Sequence, residues 1–184
     1  MFRSSLIVGL TAVALTSGTA TASPAQESLV PLVRVAAERI VTADQVAAAK
    51  WGTDKPIDDP AREQQVLDAM AAKATGMGVD PDLVRQVFRD QIEANKVVQR
   101  GLHRYWTAHP ESQPTERPDL GEVRPVIDRL NDALLTEIRD TPHVRTDPSC
   151  GGRLGGAFLR VGHEMRLDGL HRAGVGRALP SVCS

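Results

Sequence analysis

Asn95 and Gln99 are the first residues whose positions call for a chemical explanation. They belong to a run of Phe88, Ile92, Asn95, Gln99, Leu102 and Trp106, spaced 4, 3, 4, 3 and 4 residues apart. That spacing puts all six on one stripe of a helix, with two uncharged amides in the middle of an apolar face. A buried amide without partners costs a few kcal/mol. The two amides must therefore bond either to a neighbouring helix or to a polar ligand held inside the protein. Four cationic residues bear on that choice. Arg39 closes an apolar segment, Lys50 follows three alanines and precedes Trp51, and Arg62 and Arg124 lie near the starts of two further helical patterns. Each alone is more often a surface charge. Converging on one interior pocket, they would suit a small dianion, because guanidinium groups grip carboxylates bidentately.

The elements that must position these residues are helical. Aromatics make up 3% of the chain, and no alternating run is bounded by hairpin turns. Apolar periodicity predicts a helix over Leu29–Ile40, and Thr42 to Gln45 resembles a capping box opening a second through Trp51. Asp59-Pro60 and Asp80-Pro81 pair an N-cap carboxylate with proline at the first helical position. They predict one helix to about Thr75, closed by Gly76 and Gly78, and a longer one to about Trp106. Pro110–Pro118 reads as a loop, Asp119 to Glu122 as the start of a helix to about Arg139, and Pro142–Gly156 as another loop. A last helix is expected over residues 153–174, weakened by Gly162 and Gly169. The sum is an all-α, single-domain chain of five or six helices.

Composition narrows the function. Arg3, the apolar run Leu6–Leu15 and the small residues Ala20 and Ala22 have the layout of a cleaved signal peptide ending before Ser23. The run is too short to span a bilayer, which needs about 20 residues of helix. The expected arrangement is therefore a signal over residues 1–22 and one domain over 23–184, secreted or periplasmic, with no membrane association after cleavage. Removing the segment, whose one charge is Arg3, moves the formal net charge from −1 to −2. That balance argues against nucleic acid as the main partner. In an exported chain the two cysteines, Cys150 and Cys183, read as a disulfide, worth about 3–4 kcal/mol in the loop-entropy picture. Gly151–Gly156 follows no predicted strand, so a dinucleotide site is not expected. His163 and His171 are eight residues apart and read as ordinary surface or helix residues; no metal site is expected.

The segments Ala36-Ala37-Glu38-Arg39, Lys50-Trp51, Pro56 to Arg62, Val79 to Asp82 and Val87 to Ile92 together resemble the all-helical (AroQ-type) chorismate mutases, most closely their exported actinobacterial subclass. The signal layout, proline-rich connector, Arg124 helix and C-terminal cysteine pair resemble it too. The resemblance implies an all-helical bundle that rearranges chorismate to prephenate without a cofactor, and a homodimer with each site inside one protomer. It implies that Arg39 and Arg124 bind the two substrate carboxylates, with Arg62 supporting that basic pocket. Lys50 would bond a carboxylate and the ether oxygen, and Gln99 would be the second donor to that oxygen. Asp59 would orient the ring hydroxyl, with Glu63 and Asn95 as further polar contacts. Gln99 resembles the cytoplasmic type, the exported mycobacterial pattern having glutamate there; Val66 and Lys96 also depart from that pattern. The alternative is a non-catalytic secreted helical binding protein that retains the fold.

Overall fold

The structure, a computed structural model, describes residues 28–183. The expected signal segment and its cleavage point lie outside the described residues. Among them are eight α-helices: α1 Val30–Val41, α2 Ala43–Lys50, α3 Pro60–Gly76, α4 Pro81–Ala108, α5 Leu120–Asp140, α6 Pro142–Arg145, α7 Cys150–Glu164 and α8 Gly169–Arg177. A single 3₁₀ turn occupies Pro110–Ser112. The all-α class is as expected; the number of helices is higher.

The local start signals act as their chemistry dictates. Asp59 Oδ1 accepts from the Arg62 amide at 3.0 Å, Asp80 Oδ1 from the Asp82 amide at 2.9 Å, and Asp119 Oδ1 from the Gly121 amide at 3.0 Å. Each satisfies a donor that the first helical turn leaves unpaired. The capping box expected at Thr42 does not form. Thr42 keeps helical backbone angles and its hydroxyl donates to the Arg39 carbonyl at 2.7 Å, so α1 runs on into α2 with little interruption.

The C-terminal third departs further from expectation. The predicted loop over Pro142–Gly156 contains α6 and the first turns of α7, where four glycines are helical. Glycine disfavours a helix by about 1 kcal/mol relative to alanine, so packing must supply the difference. Cys150 is buried and disulfide-bonded to Cys183, while Ala157 and Val161 enter the core beside Leu154 and Phe158. The single helix expected over 153–174 is broken by a turn in which Arg166 takes φ 52°. Asp168 then caps α8. Gly174 lets α8 lie close to its neighbours: a Cβ there would stand 2.6 Å from Val98 Cγ2 and 2.9 Å from Ile40 Cγ2.

The helices share one core, in which α1 is central and packs against α4, α5, α7 and α8. Leu32, Val33, Ala36 and Ile40 of α1 meet Val84, Val87 and Phe88 of α4 and Leu134, Leu135 and Ile138 of α5. Each large apolar side chain buried there contributes about 1.5–3 kcal/mol. The stripe on α4 faces inward as its spacing requires, with Phe88, Ile92, Gln99 and Trp106 buried. Among the described residues no helix is long and apolar enough to cross a membrane.

Both histidines lie in helices, within their reading as surface or helix residues; His163 is exposed and His171 is buried. Protonated, the His171 ring donates to Asp44 Oδ1 and to Asp168 Oδ1, each at 2.9 Å, joining α8 to α2. The hydrogen bond with Asp44 outweighs burial and, with Asp168 adding to it, raises the imidazole pKa to about 9. A folded-state value above the unfolded one means that this stabilisation is complete below about pH 6.5 and lost as pH rises through about 9. Thermal melts should therefore show a loss of stability between about pH 7 and 10 that is smaller in His171→Gln, with the variant less stable than the parent at about pH 6.

Candidate active site

A cavity of about 540 Å³ opens between the end of α1, α2, the start of α3, the middle of α4 and the start of α5. The loop joining α2 to α3 roofs it with Lys55, Pro56 and Ile57. Arg39, Lys50, Asp59, Arg62, Glu63, Asn95, Gln99 and Arg124 all line it, so the structure brings every residue of the expected set to one place. Val46, Val66, Ile92, Leu120 and Ile127 supply apolar wall.

Arg39 stands in the last turn of α1 and is only 4% exposed. Its Nε donates to Asn131 Oδ1 at 2.7 Å, and the guanidinium carbon lies 5.8 Å from the centre of the Phe88 ring. Its Nη1 is buried without a hydrogen-bond partner. Burial lowers the guanidinium pKa to about 10 against the opposing pull of Asp128, so the group stays charged at neutral pH. An unpaired buried donor on a charged group is costly and marks a place for an acceptor.

Lys50 ends α2 and is half-buried, its ammonium donating to the Ile57 carbonyl at 3.3 Å. Burial lowers its pKa; Asp59, Asp58 and Glu63 oppose that, and Arg124 adds to it by like-charge repulsion. The roof loop is tied down by Asp58, which accepts from Arg100 Nη2 at 2.6 and 2.7 Å. That pair is largely solvated and so contributes little stability by itself.

The two amides on α4 form a short relay. Asn95 Nδ2 donates to the Arg39 carbonyl at 3.3 Å, which leaves Asn95 Oδ1 to accept from Gln99 Nε2 at 2.7 Å. Gln99 Oε1 is buried without a partner. One Gln99 amide hydrogen is thus engaged and the other is left over, since a primary amide carries two. Asn95 thus bonds to a neighbouring helix, the first of the alternatives raised by the sequence, and both amides also border the cavity.

Several wall residues were not singled out by sequence reasoning. Lys96, buried on α4, meets Glu93 at 2.7 Å, Glu63 at 3.1 Å and Asp58 at 3.2 Å. Burial works against its charge, but those three carboxylates together raise its pKa. Glu63 is consequently occupied, its Oε1 also accepting from the Asp59 amide at 3.3 Å. Asp59 likewise has one oxygen committed to capping α3. Asp128 lines the cavity and Asn131 stands behind it on α5. The spacing of Arg124, Asp128 and Asn131, 4 and then 3 residues, is a usable signal for these two. Six cationic and four carboxylate side chains line the cavity, a positive excess of two.

Residues 31–100 match the family model for chorismate mutase type II. The chain is 40% identical over 155 residues to the secreted chorismate mutase of Mycolicibacterium smegmatis, covering 84% of this chain and 86% of that protein. The chain belongs to the chorismate mutase family. The secreted chorismate mutase of Mycobacterium tuberculosis is 37% identical over 155 residues, or 84% of this chain and 78% of that one. Among solved structures, a chorismate mutase from Burkholderia phymatum superposes with a TM-score of 0.82 at 36% identity, covering 86% of this chain and 98% of that one.

A protein whose cavity carries excess positive charge is stabilised by an anion that binds there, in proportion to the logarithm of the anion's concentration over its Kd. A bicyclic dicarboxylate shaped like the family's transition state should therefore raise the melting temperature, by about 2.7 kcal/mol of added stability at a hundred times its Kd. Differential scanning fluorimetry across a concentration series checks this; no shift at saturation would detach the cavity from anion binding.

Proposed function

We propose that this chain is a chorismate mutase that converts chorismate to prephenate within the cavity bounded by Arg39, Lys50 and Gln99. The observation that carries the reading is the convergence of Arg39, Lys50, Arg62 and Arg124 on one wall system, with a buried Arg39 donor lacking a partner. The site suits a small dicarboxylate, and chorismate is one.

The rearrangement needs no nucleophile or proton transfer. One C–O bond breaks as one C–C bond forms within a single molecule, and nothing enters or leaves. Bond breaking runs ahead of bond making, so negative charge builds on the ether oxygen. In this reading Arg39 and Arg124 hold the two carboxylates, supported by Arg62. The clamp selects the folded conformer that solution populates poorly, which lowers the entropic part of the barrier. Lys50 and the free hydrogen of Gln99 donate to the ether oxygen, where preorganised donors act most strongly on charge that appears only in the transition state. Asp59 orients the ring hydroxyl through its uncommitted oxygen, while Glu63 and Asn95 border the substrate. A non-catalytic binding protein would not require Lys50, Arg39 and Gln99 to share a cavity, and their shared lining counts against it.

The same proposal covers the whole chain. Residues 1–22 serve as a cleaved signal, the mature protein starting at Ser23 is exported, and it works as a homodimer with each site inside one protomer. The relatives' description as secreted proteins supports the export.

Loss of chorismate absorbance on adding the purified protein tests the activity directly. Lys50→Ala should keep the helical fold by circular dichroism yet lose on the order of 10² or more in kcat, the cost of a donor acting on developing charge. Near-parental turnover would move the reaction elsewhere.

Gln99 allows a sharper test. An amide donates at any ordinary pH, whereas a carboxyl donates only when protonated, with an unperturbed pKa of about 4.3. The parent should hold a flat rate from about pH 5 to 8, whereas Gln99→Glu should be active mainly at the acidic end. Ionised, the new carboxylate would repel both the ether oxygen and Asn95 Oδ1. A Gln99→Glu protein matching the parent at pH 8 would remove Gln99 from the ether oxygen.

A further inference from the structure

Arg39 is buried, yet the group bonded to its guanidinium is a neutral amide. Asn131, 3% exposed on α5, accepts from Arg39 Nε at 2.7 Å. A buried guanidinium is ordinarily held by a carboxylate, whose charge offsets the loss of water. The carboxylate whose field reaches Arg39 is Asp128, which lies on the exposed cavity wall one turn before Asn131. The amide therefore satisfies one donor and fixes the roll of the planar guanidinium without neutralising it. Nη1 is left buried and unpartnered.

We propose that Asn131 is a positioning residue of the site, aiming Arg39 while leaving its charge free, so that a substrate carboxylate becomes the counter-ion that the protein withholds. The inference rests on the chorismate mutase reading and extends it to a residue behind the cavity wall. Arg39 is also held at its other end: its backbone carbonyl accepts from Asn95, which in turn accepts from Gln99, so α4 fixes the main chain of this residue while α5 fixes its guanidinium. A carboxylate at position 131 would give Arg39 its counter-ion permanently. The empty protein would gain stability and the substrate would lose its partner.

Two variants separate this from a purely structural role. Asn131→Asp, nearly identical in shape, should melt at a higher temperature than the parent without ligand. Its KM for chorismate should rise tenfold or more, and the melting shift given by the bicyclic dicarboxylate should shrink. Asn131→Ala, which leaves Arg39 charged but unaimed, should melt lower and also lose kcat/KM. The signature is stability moving in opposite directions while substrate use falls in both. An Asn131→Asp protein with parental KM and parental ligand shift overturns the proposal, as does one that is less stable than the parent. If the parent neither turns over chorismate nor responds to the dicarboxylate, the functional reading itself fails, and that outcome is distinct from either result on position 131.

Discussion

The charge buried at Arg39 is the constraint around which the rest of this bundle is arranged. A guanidinium taken out of water and left without a neutralising partner is destabilising by several kcal/mol, even after relaxation. The surroundings limit that cost without removing the charge. Asn131 accepts one hydrogen bond, Phe88 offers its ring face within cation–π range, and Asp128 exerts a partial attraction from the wall. The remainder is offset by the apolar contacts of α1, the helix that carries Arg39 and runs through the centre of the core. The same helix therefore carries a costly buried charge and some of the bundle's most favourable packing.

Around that fixed charge the other ions are graded by depth. Lys96 is buried but surrounded by Glu63, Glu93 and Asp58, which hold it charged and use up part of Glu63's capacity to meet a ligand. Lys50 is half-buried and feels Asp59, Asp58 and Glu63 on one side and Arg124 on the other. Arg124 stands at the exposed rim. The cationic group least exposed to solvent is thus at the Arg39 end of the cavity. An anion entering from the rim meets progressively stronger interactions, because Coulomb attraction grows as the surrounding dielectric falls.

The stretch matching the family model, residues 31–100, spans α1 to most of α4 and contains seven of the eight lining residues expected from sequence. Arg124, Asp128 and Asn131 lie beyond it on α5, within the longer similarity to the mycobacterial proteins. The helix that completes the cavity is thus outside the segment that carries most of its residues. The disulfide lies farther on, joining the start of α7 to the C-terminal end of the described chain.

What the sequence determined by itself was local or periodic. Asp59-Pro60 and Asp80-Pro81 start helices because cap and proline act within one turn, whatever surrounds them. The stripe from Phe88 to Trp106 turned inward because a helix has a fixed repeat. The eight expected lining residues were legible through family resemblance joined to that repeat. Tertiary structure decided the rest, wherever the deciding partner is remote in the chain. Asn131 reaches Arg39 across 92 positions, and His171 reaches Asp44 across 127. Thr42 could have capped α2, but its hydroxyl turned back to Arg39 because α1 and α2 stack almost continuously. The glycines after Cys150 have no helical preference of their own; a disulfide to Cys183 and packing of α7 on α1 make them helical. Propensity acts within a turn, whereas burial and ion pairing are fixed only when distant segments meet.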